Sequence, residues 1–227
     1  MFSVANVVMS QAISYSDPAQ AYNRMLIEKN TGAYEQISNY KVIGTSYLYG
    51  EKQIGSVYAK DGSASKVYLG YDTYRQQLRL YDDSNPKLMI VKDAVNTDSF
   101  AIDPIPALGV NSRLMFINGR YALSDEKSFL QVVQRGGRFS LYKKYTCNLA
   151  YVSTNYIQSD LREFNLNYDY YYTDSATREA RKLKLNFNFL KKEFKSVKDI
   201  SSFVTQDDIT NNPETALILI FGELNKN

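Results

Sequence analysis

From Val42 onward the apolar residues of this chain recur at every second position, and turn residues cut the pattern at short intervals. A period of two belongs to a β-strand, whose successive side chains point to opposite faces. Residues 44–50 form an extended stretch bounded by Gly44 and Gly50, and 53–60 read as a strand. Lys60-Asp61-Gly62-Ser63 then signals a hairpin, because Asp-Gly supplies the positive φ that tight turns need. Residues 66–72 return with Val67, Leu69 and Tyr71 in alternation, and 75–81 continue through Leu78 and Leu80. Asp82-Asp83-Ser84-Asn85-Pro86 marks a turn, and strands follow at 88–92, 99–102, 113–117 and 121–123, with Asn118-Gly119 as a hairpin turn. Arg135-Gly136-Gly137-Arg138 joins strands at 129–134 and 139–149. The last strands are expected at 168–172 and 182–187, the latter with Leu183, Leu185 and Phe187 alternating.

Turns every 8–12 residues predict an antiparallel meander of about eight to ten short strands, folded as a sandwich or an open barrel. Helices flank it. Asp17-Pro18 is an N-cap followed by proline at the first helical position, and Ala21, Tyr22, Met25 and Leu26 recur at helical spacing towards Gly32. A second short helical piece is predicted at 33–38. After the strands, Asn188 is the expected cap of a segment carrying Leu190 and Phe194, and 199–204 form another short helix with Ile200 and Phe203. Asn211-Asn212-Pro213-Glu214 starts a terminal helix whose Leu217, Ile218, Ile220, Phe221 and Leu224 make it apolar round most of its circumference, so it is expected to pack on the sheet. The fold class is therefore mainly β (α+β), divided into 12–40 as an N-terminal helical segment, 41–187 as the β domain and 188–227 as helices packed on it. Residues 1–11, apolar and followed by the small-residue exit Ser10-Gln11-Ala12, read as the residue of a signal peptide. No run approaches the ~18 apolar residues of a membrane-spanning helix.

The chain of 227 residues contains no histidine, no tryptophan and one cysteine, Cys147. Without histidine there is no Ser-His-Asp or Cys-His arrangement and no ordinary zinc or copper site. Cys147 cannot form an internal disulfide and is expected to be a small buried hydrophobe. Acid-base chemistry is left to carboxylates, and Asp82-Asp83 and Asp207-Asp208 sit beside turn residues where both members are ordinarily solvated. A carboxylate-dependent hydrolase would need two acids on facing strands. Arg135 to Arg138 lacks the phosphate-loop lysine context, and Ser46 and Ser56 are not at a nucleophile elbow. No catalytic residue, cofactor or metal ligand is expected. Between 178 and 198 eight basic residues face two acids, Glu179 and Glu193, which reads as a solvated face rather than a nucleic-acid site.

Twenty tyrosines are the unusual item. Tyrosine joins a flat apolar body to a polar tip and suits both sheet packing and binding. Tyr168, Tyr170, Tyr171 and Tyr172, with Tyr47, Tyr49 and Tyr74, are the candidate interaction surface.

The runs GTSYLYGEKQIGSVYAKDG (44–62), YLGYDTYRQQLRL (68–80), FINGRYAL (116–123) and QRGGRFSLYKKY (134–145), followed by YYYTD and FLKKEF, resemble a family of small exported proteins of Bacteroidota. The resemblance covers about 40–227. Ser46 and Asp72 stand where the family pattern usually has proline and asparagine. It implies export to the periplasm or the outer membrane and brings no catalytic residues. The leading expectation is a non-enzymatic envelope protein that works through a protein partner, as an accessory subunit of a membrane-associated assembly. The alternative is a glycan or small-ligand binder using a tyrosine-rich β face: a concave tyrosine cluster beside Asp or Asn favours the ligand, a flat one the protein partner.

Overall fold

The structure, a computed structural model, describes residues 17–29, 34–58, 64–82, 88–152 and 160–226. The expected signal-peptide residue at 1–11 and the turns at 60–63 and 83–86 lie outside the described residues, although the strands flanking each turn pair as expected.

The strands are β1 (Glu35–Ile37), β2 (Tyr40–Ile43), β3 (Gln53–Tyr58), β4 (Ala64–Asp72), β5 (Gln77–Tyr81), β6 (Met89–Asp93), β7 (Ser99–Ile102), β8 (Leu114–Asn118), β9 (Phe129–Gln134), β10 (Phe139–Tyr151), β11 (Leu161–Asp174) and β12 (Glu179–Lys182). They form one sheet in the order β1-β2-β11-β10-β9-β8-β7-β3-β4-β5-β6, with β12 added on β11. The sheet is thus two meanders, β3–β6 and β7–β11, joined where β7 pairs with β3. Its spine is the long hairpin β10–β11, in register from Phe139 opposite Asp174 to Tyr151 opposite Arg162. Among the described residues the expected antiparallel pattern holds at every strand pairing but one: β2 runs parallel to β11, which makes the sheet mixed.

The sheet curls but does not close, and among the described residues β1 and β6 are its end strands. Residues 44–50 reach into the curl from the end of β2 and bond the end of β4, through Leu48 N to Tyr71 O (2.9 Å) and Thr73 N to Ser46 O (2.9 Å). Glycine is required at both ends of this segment, since Gly44 has φ +82° and Gly50 φ +106°. Leu48 and Tyr49 are buried there with Leu69, Tyr71, Phe100, Phe116 and Phe129.

Helix α1 (Pro18–Glu28) is capped by Asp17, whose side chain accepts from Ala19 N and Gln20 N. It lies along β11, with Asn23 Nδ2 donating to Phe164 O (2.6 Å) and Gln20 Nε2 to Leu166 O (3.0 Å). Helices α2 (Phe187–Phe194), α3 (Gln206–Asn211) and α4 (Pro213–Leu224) cover the other part of the concave face. Leu217, Ile220, Phe221 and Leu224 of α4 pack on Phe139, Leu141, Tyr170 and Tyr172, while Ile218 and Leu219 remain exposed. The helix buries one face rather than most of its circumference.

Four expectations are corrected. Of the helical piece expected at 33–38, the described residues 34–38 do not make a helix: Glu35–Ile37 pairs with Tyr40–Ile43 across a two-residue turn in which Ser38 has φ 55°, and β2 is held by β11. Residues 121–123 are not a strand. Asn118 caps a 3₁₀ turn at Gly119–Tyr121, and β9 begins only at Phe129. The last strand is at Glu179–Lys182 rather than 182–187, because the turn through Arg178 (φ 58°) brings the chain straight back onto Tyr171–Asp174. Asn186, not Asn188, caps α2 by accepting from Phe189 N. Helix α3 was not foreseen. It begins with a capping box in which Thr205 and Asp208 each bond the other's backbone N–H.

Candidate functional site

The alternation of β11 decides the fate of the tyrosine run. Tyr168, Tyr170 and Tyr172 point to the concave face, whereas Tyr171 packs on the convex side with Ile117, Leu130 and Tyr142. The seven expected tyrosines therefore form no single surface. Tyr47 is buried under the Arg79 guanidinium (5.0 Å), Tyr74 is exposed beside Phe164 (5.9 Å), and the Tyr172 hydroxyl bonds Glu193. Tyr49, Tyr168 and Tyr170 converge, and Tyr145, not among the seven, joins them.

What gathers them is a lysine. On β10 the inward positions are Phe139, Leu141, Lys143 and Tyr145, so Lys143 stands on the concave face between the two apolar clusters. It is opposite Gln131 on β9 and Tyr170 on β11. Its ammonium, almost wholly buried, donates to Asp17 Oδ2 and to Glu214 Oε2 (2.6 Å). Tyr145 Oη donates to Asp17 Oδ2 (3.0 Å) and Tyr170 Oη to Glu214 Oε2 (2.8 Å). The ammonium also lies 4.3 Å from the centre of the Tyr168 ring. Asp17 caps α1 and Glu214 sits in the first turn of α4, so the positive ends of two helices support the two carboxylates.

Burial pulls the Lys143 pKa down, but Asp17 and Glu214 outweigh it, and the group lies above the ordinary lysine value. A lysine held as a cation in this way is neither nucleophile nor base at neutral pH. Burial raises the pKa of Tyr49, Tyr145 and Tyr170, and the neighbouring negative charges raise it further. A cleft of about 240 Å³ opens above the cluster, walled by the four tyrosines and reached by Gln131, Asn111 and Asn212.

The second feature is the edge at β6, which among the described residues bonds β5 on one side only. Leu88, Met89, Ile90 and Val91 are consecutive and each is 43–50% exposed. Ile90 lies opposite Leu80, and Val67, Leu80, Leu88 and Ile90 line a shallow hollow of about 360 Å³ that extends the concave apolar face to the edge.

Other expected features are dispersed. Asp208 serves its capping box, and Asp83 lies outside the described residues. Cys147 is half-buried rather than fully buried, and burial pushes its thiol up to about 12. Within 178–198, Arg181 pairs with Glu179 and Glu193, Lys182 with Asp169 and Lys198 with Glu223. Among the described residues no three Asp, Glu or Cys are grouped to hold a metal ion, and no helix is long and apolar enough to cross a membrane. Sequence reasoning missed Lys143, Gln131 and Glu214 as a set and saw Asp17 only as a cap. The strand parity of β10 was the available signal, since it obliges either Lys143 or Lys144 to face inward.

No protein-family model, curated protein or solved structure matches this chain.

Proposed function

We propose that this protein is a non-enzymatic binding protein of the cell envelope that engages a protein partner by strand addition at β6. One observation carries the reading: a sheet edge that is unpaired among the described residues bears four consecutive exposed apolar residues, Leu88 to Val91. An open edge offers unpaired N–H and C=O groups to another chain, and natural proteins normally blunt such edges with charge, proline or a cover. Here the charged residues of β6, Lys92 and Asp93, stand only at its end. The occupant is an extended segment of another envelope protein. Its backbone pairs with β6, and its apolar side chains, at alternate positions, fill the hollow between Leu80 and Ile90. The envelope location rests on the resemblance of 40–227 to exported proteins. The tyrosines do not supply this interface, because most of the seven are buried.

The test places a photo-crosslinking residue at position 90 in cells and, as a control, at Tyr151, which is 78% exposed and far along β10. The expected result is one stoichiometric adduct from position 90, absent from position 151 and lost when Val91→Pro removes an edge donor. No adduct at 90, or the same adduct from both positions, overturns the proposal. A crosslinked dimer of the protein itself replaces the foreign partner with a second copy.

A further inference from the structure

The cleft above Lys143 carries an inference independent of the β6 edge. Asp17, Glu214 and Lys143 are the only charged residues among the described residues that line it, so it holds two negative charges against one positive. The lysine's charge is already answered: two of its three N–H groups go to the two carboxylates, and the ammonium faces the rings of Tyr145, Tyr168 and Tyr170 at 4.3 to 5.3 Å. The acceptors are not exhausted. Gln131 is only 5% exposed, and its Oε1 accepts no hydrogen bond among the described residues. A buried amide oxygen left unpaired is unfavourable, so such an atom on a residue that lines a polar cleft points to a missing donor. Glu214 takes both of its bonds on Oε2, and its side chain is 37% exposed. Among the described residues its Oε1 accepts none.

We propose that this cleft binds a small organic cation carrying a primary ammonium group. Its N–H donors go to Gln131 Oε1 and Glu214 Oε1, and its short carbon chain lies among the tyrosine rings. An ammonium supplies the donor that Gln131 lacks and compensates the surplus negative charge in one step. Aromatic walls favour the same ligand, because a cation is attracted to a ring face. A neutral polyol answers the open acceptors but leaves the charge, and an anion answers neither. The cleft of about 240 Å³ fits a short amine rather than a drug-sized molecule.

The experiment titrates the full chain with n-butylammonium chloride, n-butanol and glucose, following backbone amide resonances. The expected result is saturable shifts at residues around 131, 143 and 214 with n-butylammonium and none with n-butanol or glucose at equal concentration. Gln131→Leu keeps the shape, removes the orphaned oxygen and should weaken amine binding roughly ten- to a hundredfold, the worth of a bond to a charged group. Binding of the alcohol or the sugar as tight as that of the amine overturns the ligand class. Absence of saturable binding, shifts elsewhere, or unchanged affinity in a folded Gln131→Leu overturns the site. If that variant fails to fold, the comparison of amine with alcohol on the native protein still decides.

Discussion

The Lys143 ammonium lies 2.6 Å from the Glu214 carboxylate although 71 positions of sequence separate them, and the same ammonium bonds Asp17 across 126 positions. One side chain of the central hairpin thus ties the first turn of α4 and the cap of α1 to the concave face. Removing it leaves two carboxylates drawn together without a counter-charge. Lys143→Met should lower stability by about 3–5 kcal/mol, read from urea unfolding. Adding Asp17→Asn and Glu214→Gln should recover much of that loss, because the uncompensated charge is then gone. A loss below about 1 kcal/mol for the single change would mean that the cluster behaves as a solvated pair.

High pH should unfold the protein in step with tyrosine ionisation. Burial holds Tyr71, Tyr145 and Tyr170 above the ordinary value of 10.0, and Glu214 adds to the effect at the latter two. Lys143 also lies above its ordinary 10.5, since Asp17 and Glu214 outweigh its burial. A raised folded-state pKa gives stability that is complete below the unfolded value and falls as pH rises towards the folded one. Stability should therefore hold to about pH 10 and decline above it. The tyrosinate absorbance of these buried rings should appear together with the loss of circular dichroism. If all 20 tyrosines titrated near 10 in the folded protein, the burial of these three would be refuted.

Alternation and turn chemistry made most of the sheet legible, and the exceptions share a cause. Val67, Leu69 and Tyr71 alternate inward on β4 as their spacing predicted. Leu183, Leu185 and Phe187 alternate too, yet Leu183 is buried beyond β12, Leu185 is exposed and Phe187 opens α2. There the decision belongs to the turn at Arg178 and to pairing with β11. Residues 35–37 became a strand through the hairpin to β2, itself held by β11 more than a hundred positions later. The division of the tyrosine run into Tyr168, Tyr170 and Tyr172 against Tyr171 follows from strand parity and could have been read. The cluster on Lys143 could not, because Asp17 and Glu214 reach it only after both helices dock.

Cys147 should be a slow thiol. Burial pushes it up to about 12, with the nearby Asp72 charge acting in the same direction. The thiolate is the reactive species, so its fraction at pH 8 is small in the folded protein. Reaction with a disulfide reagent at pH 8 should be at least about tenfold slower in buffer than in denaturing urea. Equal rates would show that the thiol is freely solvated.

Asn225 joins the end of α4 to the start of β10 as a short strand would. Its Oδ1 accepts from Phe139 N (2.9 Å) and Arg138 N (3.1 Å), and its Nδ2 donates to Phe139 O (2.9 Å) and Phe221 O (2.8 Å). Phe139 is buried, so truncation strands polar backbone atoms where water is scarce. Asn225→Ala should cost about 1–3 kcal/mol in urea unfolding and speed hydrogen exchange at the Phe139 amide. Asn225→Asp separates the two halves of the clasp. It keeps the acceptor for Phe139 N and Arg138 N but turns an oxygen towards the Phe139 and Phe221 carbonyls, so it too should destabilise. If the aspartate variant were as stable as the native protein, the amide donor would contribute nothing, and the helix would be held by its apolar face alone.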